Sequence, residues 1–312
     1  MKKFFVLLAA LLIVGTFTAC GVDKPANDKV KVVATIFPAY DWTREIIGGN
    51  DAFALTLLAD KGIDLHSFQP SAQDIMTISD CDVFIYVGGE SDEWVDDALK
   101  QAVNKNIIVV KLTDVLGDKV KSEEHVEGME SEHEHEDDVE DDEHVWLSLT
   151  NAQILCDGIT DALIKAAPAQ ADALKANAAA YKSKLVALDE KYRDTLAAAQ
   201  SKTILFGDRF PFRYLFDDYG LKYFAAFAGC SAETEASFQT VTFLAGKVDE
   251  LNLPCVLTIE GTNHKIAETI IANTAQKNQR ILVLDSMQAK VEGATYLSIM
   301  EKNLSVLREA LQ

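Results

Sequence analysis

Cysteine is scarce in this chain: five residues in 312, at Cys20, Cys81, Cys156, Cys230 and Cys255. The last four are too widely spaced for a disulfide framework or for zinc-finger spacing. Each lies in or beside an apolar segment, which reads as a buried thiol. Export would make a bridge possible, and Cys230 with Cys255 is then the pair to test. Basic residues are also few, 29 Lys and Arg against 49 Asp and Glu, and the net charge of −20 excludes nucleic-acid binding, since a polyphosphate would be repelled. The apolar stretch at the N-terminus, Phe4 to Val14, is too short for the about 20 residues of a membrane-spanning helix. No HExxH run, nucleophile elbow or phosphate-binding glycine loop is present, so no catalysis is expected.

What the N-terminus does hold is an address. Met1-Lys2-Lys3 is a short basic region, the apolar stretch follows, and Phe17-Thr18-Ala19-Cys20 closes it, so residues 1–20 read as an export signal. The small residues before Cys20 resemble a bacterial lipobox, with Phe17 where leucine is usual. That resemblance implies lipid attachment at Cys20 and a protein anchored to the cell membrane, on its outer face or in the periplasm. Residues 21–28 read as a tether.

Negative charge is concentrated in one place. Residues 118–144 hold 14 carboxylates against two lysines and so carry 12 of the 20 net negative charges. His125, His133 and His135 stand within this segment, and His144 closes it. Carboxylates and imidazoles at this density repel one another and build no core, so 122–143 is expected to be a solvated loop that attracts divalent cations weakly.

Elsewhere short apolar runs alternate with amphipathic helical patterns. Val30 to Phe37, Phe53 to Leu58, Val83 to Val87 and Ile107 to Val110 read as strands, with helices through Trp42 to Ile47, Ser71 to Ile78 and Trp94 to Val103. The second half repeats the grammar. Strands are expected at Thr203 to Phe206, Tyr223 to Phe227, Cys255 to Ile259 and Ile281 to Leu284, and helices after Pro211, from Ser237 to Leu251, from Ala267 and at the C-terminus. This predicts an α/β protein of two lobes, 29–167 and 201–312, each with a mostly parallel sheet flanked by helices. Between them, 168–200 carries Leu174, Tyr181, Leu185, Leu188, Tyr192 and Leu196 as one apolar stripe. It is expected to form one long linking helix of about 45 Å, packed within a monomer rather than as a coiled coil.

In open α/β sheets ligands sit at the carboxyl ends of strands, so metal donors are sought among His, Asp and Glu just after a strand. His66, His144, Asp208 and Asp285 meet that test. Two of them lie in motifs. Leu65-His66-Ser67-Phe68-Gln69-Pro70 and Asp142-Glu143-His144-Val145-Trp146-Leu147-Ser148-Leu149 are similar to the ligand motifs of the zinc- and manganese-binding solute receptors of bacterial ABC importers. Gln69 stands where Glu is usual, and Glu143 and Leu149 where prolines are. The resemblance covers essentially the whole mature chain and implies two α/β lobes joined by one rigid helix. In that family a His or Glu usually stands ten residues before the Tyr-Gly of Tyr219-Gly220-Leu221, which here is Arg209. A guanidinium has no lone pair to offer a metal, so the expectation moves to Asp208. Asp285 matches the fourth ligand, and Glu260 matches a glutamate near the cleft and is held in reserve.

The resemblance implies a receptor that captures a metal ion outside the cytoplasm and delivers it to the membrane permease of an ABC importer. Two imidazoles and two carboxylates suit both Zn2+ and Mn2+. The histidine-bearing loop tips the expectation to zinc, because His125, His133 and His135 with their carboxylate neighbours would collect it weakly and raise its local concentration. The alternatives are a manganese receptor, a metal-binding adhesin, and a metal-dependent hydrolase with Glu260 or Glu143 as base.

Overall fold

The structure is a computed structural model and describes residues 29–59, 65–130, 140–231, 235–289 and 292–312. The export signal with Cys20, the tether, and His133 and His135 lie outside the described residues. In the first lobe the strands are β1 (Val30–Ala34), β2 (Phe53–Leu57), β3 (Val83–Tyr86) and β4 (Ile108–Lys111). They alternate with α1 (Phe37–Ile47), α2 (Ala72–Ser79), α3 (Trp94–Gln101) and α4 (Leu112–Leu116), and α5 (Leu149–Ala166) closes the lobe. The apolar run that begins at Val30 is therefore strand only to Ala34. Pro38 lies in the first turn of α1, where its missing N–H costs nothing and its fixed φ favours a helix start. Ser71 and Asp74 form a reciprocal capping box at the start of α2.

A long helix, α6 (Ala171–Ala197), leads into the second lobe: β5 (Thr203–Phe210), α7 (Arg213–Tyr219), β6 (Lys222–Ala228), α8 (Phe238–Glu250), β7 (Cys255–Ile259), α9 (Lys265–Asn273), β8 (Arg280–Leu284) and α10 (Tyr296–Ala310). The two sheets have the same topology. Their strand orders are β2-β1-β3-β4 and β6-β5-β7-β8, and all six pairings are parallel. Helices cover both faces, which is why strands such as β3 are apolar throughout rather than alternating.

The apolar stripe of α6 is the seam of the molecule. Leu174, Tyr181, Leu185, Leu188, Tyr192 and Leu196 are all buried in one continuous core that takes in residues of both lobes. Burying each leucine is worth about 1.5–3 kcal/mol. The helix packs on α1 and α5 at one end and on α7 and α10 at the other. Polar contacts pin it at both ends. Asn177 Nδ2 donates to Ile46 O at 3.0 Å, and the Tyr192 hydroxyl to Met300 O at 2.6 Å. Helix α10 reaches back across the lobes, with Tyr296 N donating to Asp41 Oδ2 at 2.9 Å. Among the described residues no helix is long and apolar enough to cross a membrane.

The considered bridge between Cys230 and Cys255 does not form, and both thiols are free. Cys255 begins β7 and Cys230 lies two residues beyond the end of β6. Since β6 and β7 are both parallel to β5, the two cysteines sit at opposite edges of one sheet, separated by roughly 15 Å of strand. A disulfide needs Cα atoms about 4.4–6.8 Å apart.

Candidate metal centre

Three side chains that can bind a metal converge at the carboxyl edge of the sheets. His66 lies in the 3-10 turn Leu65–Ser67 beyond β2, His144 immediately precedes the 3-10 turn Val145–Leu147 that leads into α5, and Cys230 follows β6. The Nε2 atoms of His66 and His144 stand 3.2 Å apart. With the Cys230 Sγ, one donor atom from each residue lies within 4.8 Å of the others. His144 is fully buried, while His66 and Cys230 are half-buried.

Each imidazole is held by its other nitrogen. His144 Nδ1 lies 2.9 Å from Asp142 Oδ1, which also accepts the His144 backbone N–H at 2.9 Å. An ionised carboxylate only accepts, so the ring proton sits on Nδ1 and the Nε2 lone pair faces His66. His66 Nδ1 lies 2.8 Å from Ser91 Oγ and 3.5 Å from Glu143 Oε2. Glu143 Oε1 in turn accepts the Ser91 backbone N–H at 2.7 Å. Its carboxyl crosses directly over Gly89, where a Cβ would come within 2.1 Å of Oε1. Gly229 is needed for a similar reason: a Cβ there would stand 2.9 Å from Phe210 O and 3.2 Å from His144 Cε1. From the second lobe, Gln288 Nε2 approaches His144 Nε2 at 2.9 Å.

The carboxyl edge of the sheets carries several poorly solvated acids. Burial raises the pKa of Glu143, of Asp285 and of Glu260, the last also through the charge of Asp285. Burial raises the Cys230 thiol as well, helped by Glu123, Asp142 and Glu143. Groups arranged so that their negative forms are disfavoured together are what a bound cation would relieve.

Asp92, which accepts the N–H groups of Val87 and Gly88 at 2.9 Å each, braces the turn that carries Ser91. Burial lifts its pKa to about 6, against the pull of the Gly88 N–H and with help from the Glu143 charge. An unfolded Asp titrates near pH 3.9, so the fold binds this proton more tightly than the unfolded chain does. The resulting stability is fully present below about pH 4 and is lost as pH rises through 6, a swing of roughly 3 kcal/mol at most. Asp92→Asn keeps an acceptor for both N–H groups and is expected to flatten that slope. Melting curves of the two proteins from pH 4 to 7 check it, the variant gaining on the parent as pH rises; a constant difference would count against the assignment.

The other residues expected at the site lie outside this group of three donors. Asp208 lies inside β5, at a register shift between Phe206 and Arg209, because the strand runs on to Phe210. Its Oδ1 accepts Arg209 N at 2.9 Å within the bulge and its Oδ2 accepts Ile259 N at 3.4 Å from the end of β7. Asp285 directly follows β8 on the segment that carries Gln288, with Oδ1 accepting Met287 N at 2.9 Å. Glu260 clamps the same segment through Ser286, accepting from its N and its hydroxyl at 2.7 Å each. His125 is exposed, and His264 is half-buried with Nδ1 2.9 Å from Thr258 Oγ1. Neither belongs to the convergent group among the described residues.

Sequence and fold comparisons decide the family. The model for the periplasmic zinc-uptake complex component A, ZnuA, matches residues 32–310. The chain belongs to this family. It is 30% identical over 318 residues to the high-affinity zinc uptake system protein ZnuA of Bacillus subtilis, covering 98% of this chain and 96% of that protein. It is 32% identical over 315 residues to the zinc-binding lipoprotein AdcA of Streptococcus pneumoniae, covering 99% of this chain but only 61% of that longer protein. The crystal structure of the Zn(II)-bound ZnuA-like domain of that AdcA is similar with a TM-score of 0.71 at 29% identity, covering 91% of this chain and 99% of the domain.

Within a ZnuA-like chain, Cys230 and Gln288 are the site features that sequence reasoning missed. A rule that looks after strands for His, Asp and Glu passes over cysteine, and Cys230 follows β6 directly after Gly229. Gln288 carries no such signal, since it comes four residues after its strand and is brought to His144 by the path of the chain.

Proposed function

We propose that this chain is an extracytoplasmic receptor that captures zinc and hands it to the membrane permease of an ABC importer. The observation that carries the reading is the 3.2 Å separation of the His66 and His144 Nε2 atoms. Two nitrogens bound to one tetrahedral zinc at about 2.0–2.1 Å lie about 3.3 Å apart, so the pair is already set for the ion. The Asp142 and Ser91–Glu143 contacts behind the rings fix their orientation, which is the usual support for a metal-bound imidazole. Membership of a zinc-uptake family and the zinc-binding relatives support the same choice over manganese. Asp285 is the carboxylate we assign to the ion, with Glu260 positioning its segment through Ser286.

The reading includes no catalytic step. Zinc is the cargo, and anchoring through a lipid on Cys20 would keep a monomeric receptor at the membrane where the permease works. Release fits small lobe movements, because α6 and the contacts of α10 with the first lobe oppose wide opening. Calorimetric titration with zinc tests the proposal: one tight equivalent is expected, and none would end it. His125, His133 and His135 are assigned weak collecting sites. Replacing all three with alanine is expected to leave the tight equivalent unchanged and to remove the weaker ones, which in the parent should fade as pH falls below about 6 and the imidazoles protonate. Loss of the tight equivalent in that variant would place a primary ligand in the acidic segment.

A further inference from the structure

We propose that Cys230 is the third ligand, binding as a thiolate beside the two imidazoles, and that this sulfur makes the site prefer zinc-like ions to manganese; the proposal rests on the receptor reading above. The other described cysteines are structural. Cys81, Cys156 and Cys255 are buried in the apolar cores, whereas Cys230 is the member of the described set whose sulfur stands with His66 and His144.

The turn that presents this sulfur is built from several directions. Gly229 lets the chain pass against the His144 ring, and Ser231 N returns to Ala228 O at 3.4 Å. Arg209 Nη1 donates to Ser231 O at 3.4 Å, so a side chain that cannot itself hold a metal fastens the segment that can. From the acidic segment, Glu123 Oε1 accepts the Cys230 N–H at 2.8 Å. Asp208, the carboxylate alternative, has both oxygens engaged with backbone N–H groups.

Geometry and chemistry then agree. In a tetrahedral zinc site with bonds of about 2.3 Å to sulfur and about 2.0–2.1 Å to nitrogen, sulfur and nitrogen lie about 3.6 Å apart. The three donors here already lie within 4.8 Å of one another, so a side-chain adjustment of ångström size suffices. On binding, the S–H bond breaks, its proton passes to solvent and the electron pair left on sulfur forms the S–metal bond. A thiolate is a soft donor that favours zinc, while manganese favours oxygen.

Cobalt(II) is the probe that reads the sulfur directly, through the near-ultraviolet charge-transfer band that only thiolate ligation gives. The cobalt-loaded parent is expected to show this band and Cys230→Ser to lack it. The variant should also lose at least about tenfold in zinc affinity with a smaller change for manganese, narrowing the preference between them. Zinc should protect Cys230 of the parent from alkylation, a readout that stands even if the variant folds poorly. A parent that binds zinc and cobalt tightly with no thiolate band and no protection overturns the cysteine assignment while leaving the receptor reading intact. So does an unchanged zinc-to-manganese ratio in a folded Cys230→Ser. A parent that binds no zinc overturns both.

Discussion

Replacing His144 by alanine is expected to abolish tight zinc binding, lowering affinity on the order of a thousandfold or more. The ring is fully buried, so no solvent molecule moves in cheaply to replace its lone pair. The loss is compounded behind the ring, where Asp142, itself only 2% exposed, would be left without its Nδ1 partner. A buried carboxylate deprived of its donor costs the fold as well as the site. His66→Ala removes the same kind of ligand from a more open position, 12% exposed, with Ser91 and Glu143 able to re-pair with water. Its affinity should fall steeply but by less than that of His144→Ala. Asp142→Asn should sit between parent and His144→Ala, at about 10–100-fold, because it alters only the orientation and basicity of the ligand. Calorimetry on the three variants gives the order, and a His144→Ala affinity within about tenfold of the parent would remove His144 from the site.

The sequence made the architecture legible because its signals were local and mutually consistent. Apolar runs of four to six residues alternating with helical patterns lead to parallel α/β lobes almost by connectivity alone, since parallel strands need a crossover between them. The stripe from Leu174 to Leu196 announced α6 because a period of 3.6 residues over so many turns has no other economical use. His66 and His144 were legible for a related reason: each is embedded in a distinctive short motif beside a strand or helix end.

The place of Asp208 was not legible in that way. Its place depends on where β5 ends, and the run from Thr203 looks finished at Phe206 because Gly207 and Asp208 interrupt the apolar pattern. Tertiary context overrides that punctuation. A bulge carries the strand on to Phe210 and places Asp208 against backbone N–H groups. A one-residue bulge is invisible to periodicity, yet it re-aims the side chains of the strand that carries it. The ties from the acidic segment to the second lobe were equally hidden. Glu123 to Cys230, Glu124 to Tyr223 and Glu130 to Ser237 are contacts between residues about a hundred positions apart, in a run whose composition suggested only solvated charge.

Trp146→Ala is expected to produce the largest loss of stability among these variants, about 3–5 kcal/mol for the emptied aromatic volume alone. The residue is 0% exposed and is tied in three directions, two of them through the indole. Its Nε1 donates to Ser286 O at 2.8 Å, fastening the segment of Asp285 and Gln288 that belongs to the second lobe. Its backbone carbonyl accepts the Tyr296 hydroxyl at 2.7 Å, which ties in the start of α10. Its ring lies 5.3 Å from that of His144 and walls the imidazole on one side. Removing the side chain therefore opens a cavity, strands Ser286 O, and lets His144 rotate. For a chain of this size a few kcal/mol corresponds to a fall in melting temperature of roughly 10 °C, measured after chelation so that bound metal does not mask the change. Trp146→Phe separates the contributions, because it keeps most of the apolar volume and removes only the Nε1 donor, at about 1–3 kcal/mol. Zinc affinity should follow the same order as stability, with Ala the weaker binder, because the loosened Gln288 segment and the unwalled imidazole are consequences of one missing ring. If Trp146→Ala melts within about 2 °C of the parent, the indole is not what locks the second lobe to the His144 segment, and the rigidity of the site must come from α6 and α10 alone.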